Sequence, residues 1–212
     1  MIKYIKNKDL ENEDFLKGAD FFFLSLEKAR WPRNTNNIAI QRQVQYPYCY
    51  KLLKLKGTER VLDAGCGHTV WPYFLKELYP NTEIHLFDSY EPKLNVYPEK
   101  IGIKKVGNLT NIKYPDNYFD VVYCISTLEH EKNWEKVIKE FSRILKINGH
   151  LLMVVDGMIG DKYFKEEDVE KLVKMLKKEF VIDTLDLSTE DNWIYSGIEG
   201  TTMSLMISIK KI

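Results

Sequence analysis

Two carboxylates and two glycines stand in a pattern that would hold a small charged ligand. Asp63 lies two positions ahead of the first glycine in the run Val61-Leu62-Asp63-Ala64-Gly65-Cys66-Gly67-His68-Thr69. Gly65 and Gly67 let the chain turn tightly and bring backbone close to a ligand where a Cβ would intrude. An acid at Asp63 is awkward for a pyrophosphate but suits a cationic amine. Asp88 ends the next apolar run, Ile84-His85-Leu86-Phe87, where a carboxylate accepts hydrogen bonds from ribose hydroxyls. The two acids together suit a ligand that carries an ammonium group and a nucleoside.

These residues need a scaffold that brings two strand ends together. After Gly57 the pattern alternates between strand and helix. β-rich runs occur at Arg60–Asp63, Glu83–Asp88, Phe119–Ile125 and His150–Asp156, apolar at successive positions. Burial on both faces explains that, as in a parallel sheet covered by helices. A helix over roughly Val70 to Leu78 follows the glycines and points its positive end at them. Apolar stripes at helical spacing run through Trp134, Val137, Ile138, Phe141, Ile144 and Leu145, ended by Asn148-Gly149, and through Val169, Leu172, Val173, Leu176 and Phe180. Two strands, Val181–Leu187 and Thr201–Ile209, close the chain. The expected fold is α/β: a doubly wound, seven-stranded, mostly parallel, Rossmann-like sheet with an antiparallel C-terminal hairpin.

The division near Lys56-Gly57-Thr58 leaves residues 1–56 as an N-terminal helical cap and residues 57–212 as the ligand-binding domain. Composition agrees with a folded chain: 44% of residues are hydrophobic and 29% charged, with 31 basic and 31 acidic side chains. That balance lacks the basic excess expected of a duplex nucleic-acid binder. Three dispersed cysteines and four dispersed histidines form no disulfide framework and no zinc-ligand spacing, so no metal is expected. No apolar run approaches the ~20 residues of a membrane span. A reduced, cytoplasmic location is the expectation, and the oligomeric state is left open.

The ordered motifs from Gly57 onward resemble those of the class I S-adenosylmethionine-dependent methyltransferases. Val61 to Gly67 is similar to the first motif and Leu86-Phe87-Asp88 to the second. The run from Gly107 to Asp120 resembles the adenine loop and fourth strand. Ile125-Ser126-Thr127-Leu128-Glu129-His130 and Leu145 to Leu151 resemble the segments that follow. The resemblance implies S-adenosyl-L-methionine as cofactor and S-adenosyl-L-homocysteine as product. It implies Asp63 on the methionine ammonium, with the backbone of Gly65, Cys66 and Gly67 along the methionine portion. It implies Asp88 and Ser89 at the ribose, Asn108 and Leu109 at the adenine edge, and Ile125 with Ser126 below the sulfonium. Two positions depart from the pattern. Thr69 stands where many relatives have a third glycine, and Asn108 where an acid usually contacts the adenine amino group.

Methyl transfer from a sulfonium is an in-line displacement, so placing the acceptor is most of the work. A general base is needed only for a protonated acceptor. His130, after the fourth strand, is the candidate, with Glu129 second; each would otherwise organise the start of the next helix. Acceptor selection is expected from the N-terminal segment and the terminal connection, through Trp31, Arg33, Arg42, Tyr46, Trp193 and Tyr195. This mixture of aromatic and hydrogen-bonding groups suits a small polar molecule, methylated on O or N. A nicotinamide dehydrogenase lacks support because the third glycine of its fingerprint is missing and Asp63 is misplaced for a pyrophosphate. The alternative from another class is a non-catalytic, cofactor-binding partner subunit, which Thr69 and Asn108 favour.

Overall fold

The computed structural model describes residues 2–4, 45–46, 49–50, 52, 55–158, 166–182, 185–186, 194–195 and 201–211. Their strands form one sheet. β1 is Ile2–Tyr4, β2 Arg60–Ala64, β3 Glu83–Asp88, β4 Ile103–Val106, β5 Phe119–Ile125, β6 Leu145–Met158, β7 Leu185–Asp186, β8 Ile194–Tyr195 and β9 Thr201–Lys210. The helices are α1 (Trp71–Leu78), α2 (Glu91–Asn95), α3 (Trp134–Ile144) and α4 (Glu166–Glu179), with a 3₁₀ turn at Leu128–His130.

The strand order is β4-β3-β2-β5-β6-β9-β1-β7, with β8 paired to β9. β4, β3, β2, β5 and β6 are mutually parallel. β9 runs antiparallel to β6, and β8 forms an antiparallel pair with β9. This is the doubly wound, mostly parallel sheet with an antiparallel C-terminal end. Two short strands add to the expected seven. β8 is one; β1 is the other, pairing antiparallel with β9 and parallel with β7. The expectation of helix alone before residue 57 is therefore corrected at Ile2–Tyr4. The described residues 45, 46, 49, 50 and 52 are helical; the rest of the expected cap lies outside the described residues.

Alternate residues of each central strand feed opposite cores, which accounts for the unbroken apolar runs. Leu62, Val122, Cys124, Leu151 and Met153 join the core under α3 and α4, while Val61, Val121, Tyr123, Leu152 and Val154 join the one beneath α1. α3 starts at Asn133, whose side chain accepts the Lys136 N–H at 3.1 Å and so satisfies one open donor of the first turn. It buries Val137, Ile138, Phe141 and Ile144. The chain winds from β2 outward through β3 to β4, then crosses to β5 on the other side of β2. The reversal leaves a crevice between the carboxyl ends of β2 and β5, where ligands bind in open sheets of this kind.

Candidate active site

The segment from Gly65 to Val70 leaves β2 and enters α1 through two left-handed residues, Gly65 (φ +78°) and Gly67 (φ +55°). Gly65 has a packing reason for lacking a Cβ: one built there would come within 2.2 Å of Thr127 Cγ2. Thr127 reaches across from the end of β5, and its hydroxyl lies 3.1 Å from Gly65 O and 3.2 Å from Ile125 O. The N–H groups of Gly65 and Cys66 both donate to Phe87 O, at 2.8 and 3.1 Å. The turn is thus locked onto the end of β3.

Asp88 completes that lock. It is 6% exposed; Oδ2 accepts the Gly67 N–H and Oδ1 the Tyr90 N–H, each at 2.9 Å. The carboxylate therefore joins the glycine turn to the start of α2, and each oxygen keeps a second lone pair for a ligand hydroxyl. Ser89, between Asp88 and Tyr90, is exposed.

Asp63 is 4% exposed, and its Oδ2 has no hydrogen-bond partner among the described residues. Burial, with the nearby charge of Asp88, holds its carboxyl well above the usual carboxylate range. Tyr123 sits opposite Asp63 in register on β5. The Tyr123 hydroxyl and the neighbouring Trp71 indole N–H are likewise buried without a partner among the described residues. Cys66 is buried beside these acids, which pushes its thiol up and leaves it no thiolate character.

At the end of β5, Ser126 takes φ +48°, an uncommon conformation for a residue with a Cβ. Its N–H donates to Val154 O at 2.8 Å, and its hydroxyl donates to Gln45 Oε1 at 3.2 Å. Gln45 is fully buried and its amide also donates to Asp156 at the end of β6. One residue of the N-terminal segment thus touches the carboxyl ends of two strands. Ile125, the last residue of β5, is buried, while His130 is exposed at the end of the 3₁₀ turn with Glu129 half-buried before it. The His130 N–H donates to Thr127 O at 3.0 Å.

Asn108 is exposed, and its Oδ1 is already engaged by the Thr110 N–H (2.8 Å) and hydroxyl (2.7 Å). The side-chain oxygen shapes its own turn. Leu109 is buried in the core behind it. The chain beyond is pinned by α3: Arg143 donates to Tyr114 O and Ile112 O, and Glu140 accepts the Ile112 N–H.

Of the acceptor-side residues, Tyr46 is 2% exposed and stacks on Trp71, 5.1 Å between centroids. The bulky ring completes the core beneath α1 instead of facing an open surface. The backbone of Tyr195 pairs with Thr201; Trp31, Arg33, Arg42 and Trp193 lie outside the described residues. His85 and His150 are structural, bridging Glu83 to Tyr114 and contacting Ser208. An open cleft of about 830 Å³ lies at the opposite end of the sheet, lined by Lys56, Asp120, Lys146 and Lys210 among others. It is far from the strand ends where the loop residues meet.

Residues 62–153 match the family model described as a methyltransferase domain. The matched segment is similar to methyltransferase domains. The chain is 33% identical over 112 residues to an uncharacterised protein of Methanocaldococcus jannaschii, a match covering 50% of this chain and 46% of that one. It is 30% identical over 106 residues to phosphoethanolamine N-methyltransferase 1 of Zea mays, covering 48% of this chain and 21% of that protein. The chain therefore spans less than half the length of these relatives. A protein structure from Pyrococcus horikoshii shares the fold, with a TM-score of 0.63 at 16% identity over 88% of this chain and 99% of that chain.

No sequence pattern points to Tyr97 on the glycine turn, or to Gln45 and Asp156, which meet each other and Ser126 only in three dimensions. Thr127 falls within a motif, yet its contact with Gly65 carries no sequence signal. The edge strand β4 carries no buried apolar run to mark it, since its residues are half-buried or exposed.

Proposed function

We propose that this chain is an S-adenosylmethionine-dependent methyltransferase that moves a methyl group to an O or N atom of a small-molecule acceptor. The observation that carries the reading is Asp63, a buried carboxyl with an unpartnered oxygen beside the glycine turn. An uncompensated buried acid is costly unless a cation meets it. The cofactor's ammonium would supply that cation, so the residues present fit the group. Asp88 and Ser89 would take the ribose hydroxyls, and Leu109 with Asn108 the adenine. Ile125 and Ser126 would line the floor, with Gly65, Cys66 and Gly67 along the methionine portion.

When bound, the cofactor supplies a methyl group already activated by its sulfonium. The protein's own part is to orient it, exclude water and hold the acceptor in line. Positioning of this kind is worth on the order of 7–11 kcal/mol in favourable cases. His130, exposed beyond β5, would remove a proton from an acceptor that arrives protonated, with Glu129 as second candidate. The segment before Gly57, apart from the Ile2–Tyr4 strand and the core residue Tyr46, would select the acceptor through Trp31, Arg33 and Arg42, together with Trp193 and Tyr195 of the terminal connection. The likeness to a phosphoethanolamine N-methyltransferase supports a small polar acceptor. The buried free cysteines Cys49, Cys66 and Cys124 support a reducing, cytoplasmic setting.

Calorimetric titration with S-adenosylmethionine, S-adenosylhomocysteine and NAD tests the cofactor. Micromolar binding of the first two and none of NAD is expected; no binding of either adenosyl ligand would end the reading. Product formation against a panel of small amines and alcohols, phosphoethanolamine included, then tests the acceptor class. Turnover by His130→Ala equal to the parent at every pH would return that residue to a structural role. A second reading, the non-catalytic partner subunit, is favoured by Asn108, whose oxygen is spent on Thr110. Cofactor binding without turnover on any acceptor would support it.

A further inference from the structure

The turn between β2 and α1 is held by a residue that follows α2. Tyr97 is 1% exposed, with its ring 5.7 Å from that of Tyr73. Its hydroxyl oxygen lies 2.7 Å from Thr69 N, 3.0 Å from Thr69 O and 3.4 Å from Cys66 O. A phenol has one proton to give and lone pairs that accept. It therefore accepts the Thr69 N–H and donates to Thr69 O, with Cys66 O as the longer alternative. Burial pushes the phenol up, so the donor persists across the physiological range.

The geometry makes this more than a packing contact. Gly67 N is tied to Asp88 Oδ2 at 2.9 Å, so the segment from Cys66 to Thr69 is gripped at two points, by an acid and by a phenol. Backbone polar groups in a turn with little regular structure need such partners, and the α1 N-terminus offers no side-chain cap. We propose that Tyr97 is a positioning residue for the amino-acid end of the cofactor, setting the backbone of Cys66–Thr69 on which that end rests. The inference rests on the reading of this turn as the cofactor's methionine site. It also gives Thr69 a function: its backbone, pinned by the hydroxyl, keeps one conformation where a third glycine would be free.

Tyr97→Phe removes the oxygen and keeps the ring. Calorimetry on the full chain would compare S-adenosylhomocysteine with 5′-methylthioadenosine, which has the nucleoside and thioether but no amino-acid end. The expected result is a dissociation constant raised roughly ten-fold for the former and nearly unchanged for the latter. Equal weakening of both, or of neither, would overturn the positioning role. A parent protein that binds no S-adenosylhomocysteine would overturn the cofactor reading itself, and this inference with it. Amide hydrogen exchange in the parent protein decides independently of whether the variant folds. Slow exchange at Thr69 is expected, and exchange as fast as an open loop would show that the bond is not held.

Discussion

Asp63 and Asp88 are both buried carboxyls at strand ends, yet their surroundings set them apart. Asp88 accepts two backbone N–H groups, while Asp63 has an oxygen facing no donor. Asp88→Ala strands two donors in a buried turn, so it should cost about 1–3 kcal/mol of stability per lost bond and weaken cofactor affinity at least several-fold. Urea unfolding reads the first and titration with S-adenosylhomocysteine the second; unchanged affinity in folded variant would refute the ribose assignment. For Asp63 the prediction is a pH dependence. Its folded-state pKa is raised by burial and by Asp88, so the folded protein binds a proton that the unfolded chain releases near pH ~4. Stability from that proton is full below the unfolded pKa and is lost as pH rises toward the folded one. Asp63→Asn should remove this slope, so its stability relative to the parent improves from pH 5 to pH 8 by roughly a kcal/mol or more. Parallel slopes in denaturant melts at the two pH values would contradict the account.

At the scale of elements, the end of the sheet that carries the candidate site is a junction of loops that fit one another. The turn after β2 can pack against the end of β5 only because Gly65 has no side chain where Thr127 lies. Gly65→Ala adds a clash and a left-handed alanine, and should cost at least about 2 kcal/mol. Thr127→Ala in the same background should recover part of that by removing the clashing methyl. Additive losses in the double variant, measured by chemical denaturation, would mean that the backbone conformation alone sets the cost. α3 acts on the next loop in a similar way. Arg143 and Glu140 hold the backbone of Ile112 and Tyr114, so the far end of the loop after β4 is anchored to a helix packed in the core.

The whole molecule joins its N-terminal segment to the sheet at two places, one beside the β7 edge and one at the central strands. β1 adds to β9 beside β7, and Gln45 bridges Ser126 and Asp156 at the carboxyl ends of β5 and β6. A fully buried amide that links three segments should matter beyond its size. Gln45→Ala is expected to lower global stability by about 1–3 kcal/mol. It should also speed proteolysis of the N-terminal segment relative to the domain core. A variant within about 0.5 kcal/mol of the parent, with the same cleavage pattern, would show that the bridge is incidental.

Hydrophobic patterning and turn chemistry determined much of this protein before any coordinates. Successive apolar residues at Val61-Leu62 and Val121-Val122 announce strands buried on both faces, and each indeed feeds two cores. The acids at Asp63 and Asp88 and the glycines between them were legible because backbone conformation and strand-end chemistry are local properties. The partners of those residues were not. Thr127 against Gly65, Tyr97 on Thr69 and Gln45 on Ser126 join positions distant in sequence, by side chains whose types are common anywhere in a chain. Asn108 shows the converse, since the resemblance of its position implied a contact with adenine while its own turn uses the oxygen. Local sequence sets which elements form and where a ligand's charges can be met. Only the packing of one strand end against another decides which neighbour holds each group, because that depends on distances the chain acquires when it folds.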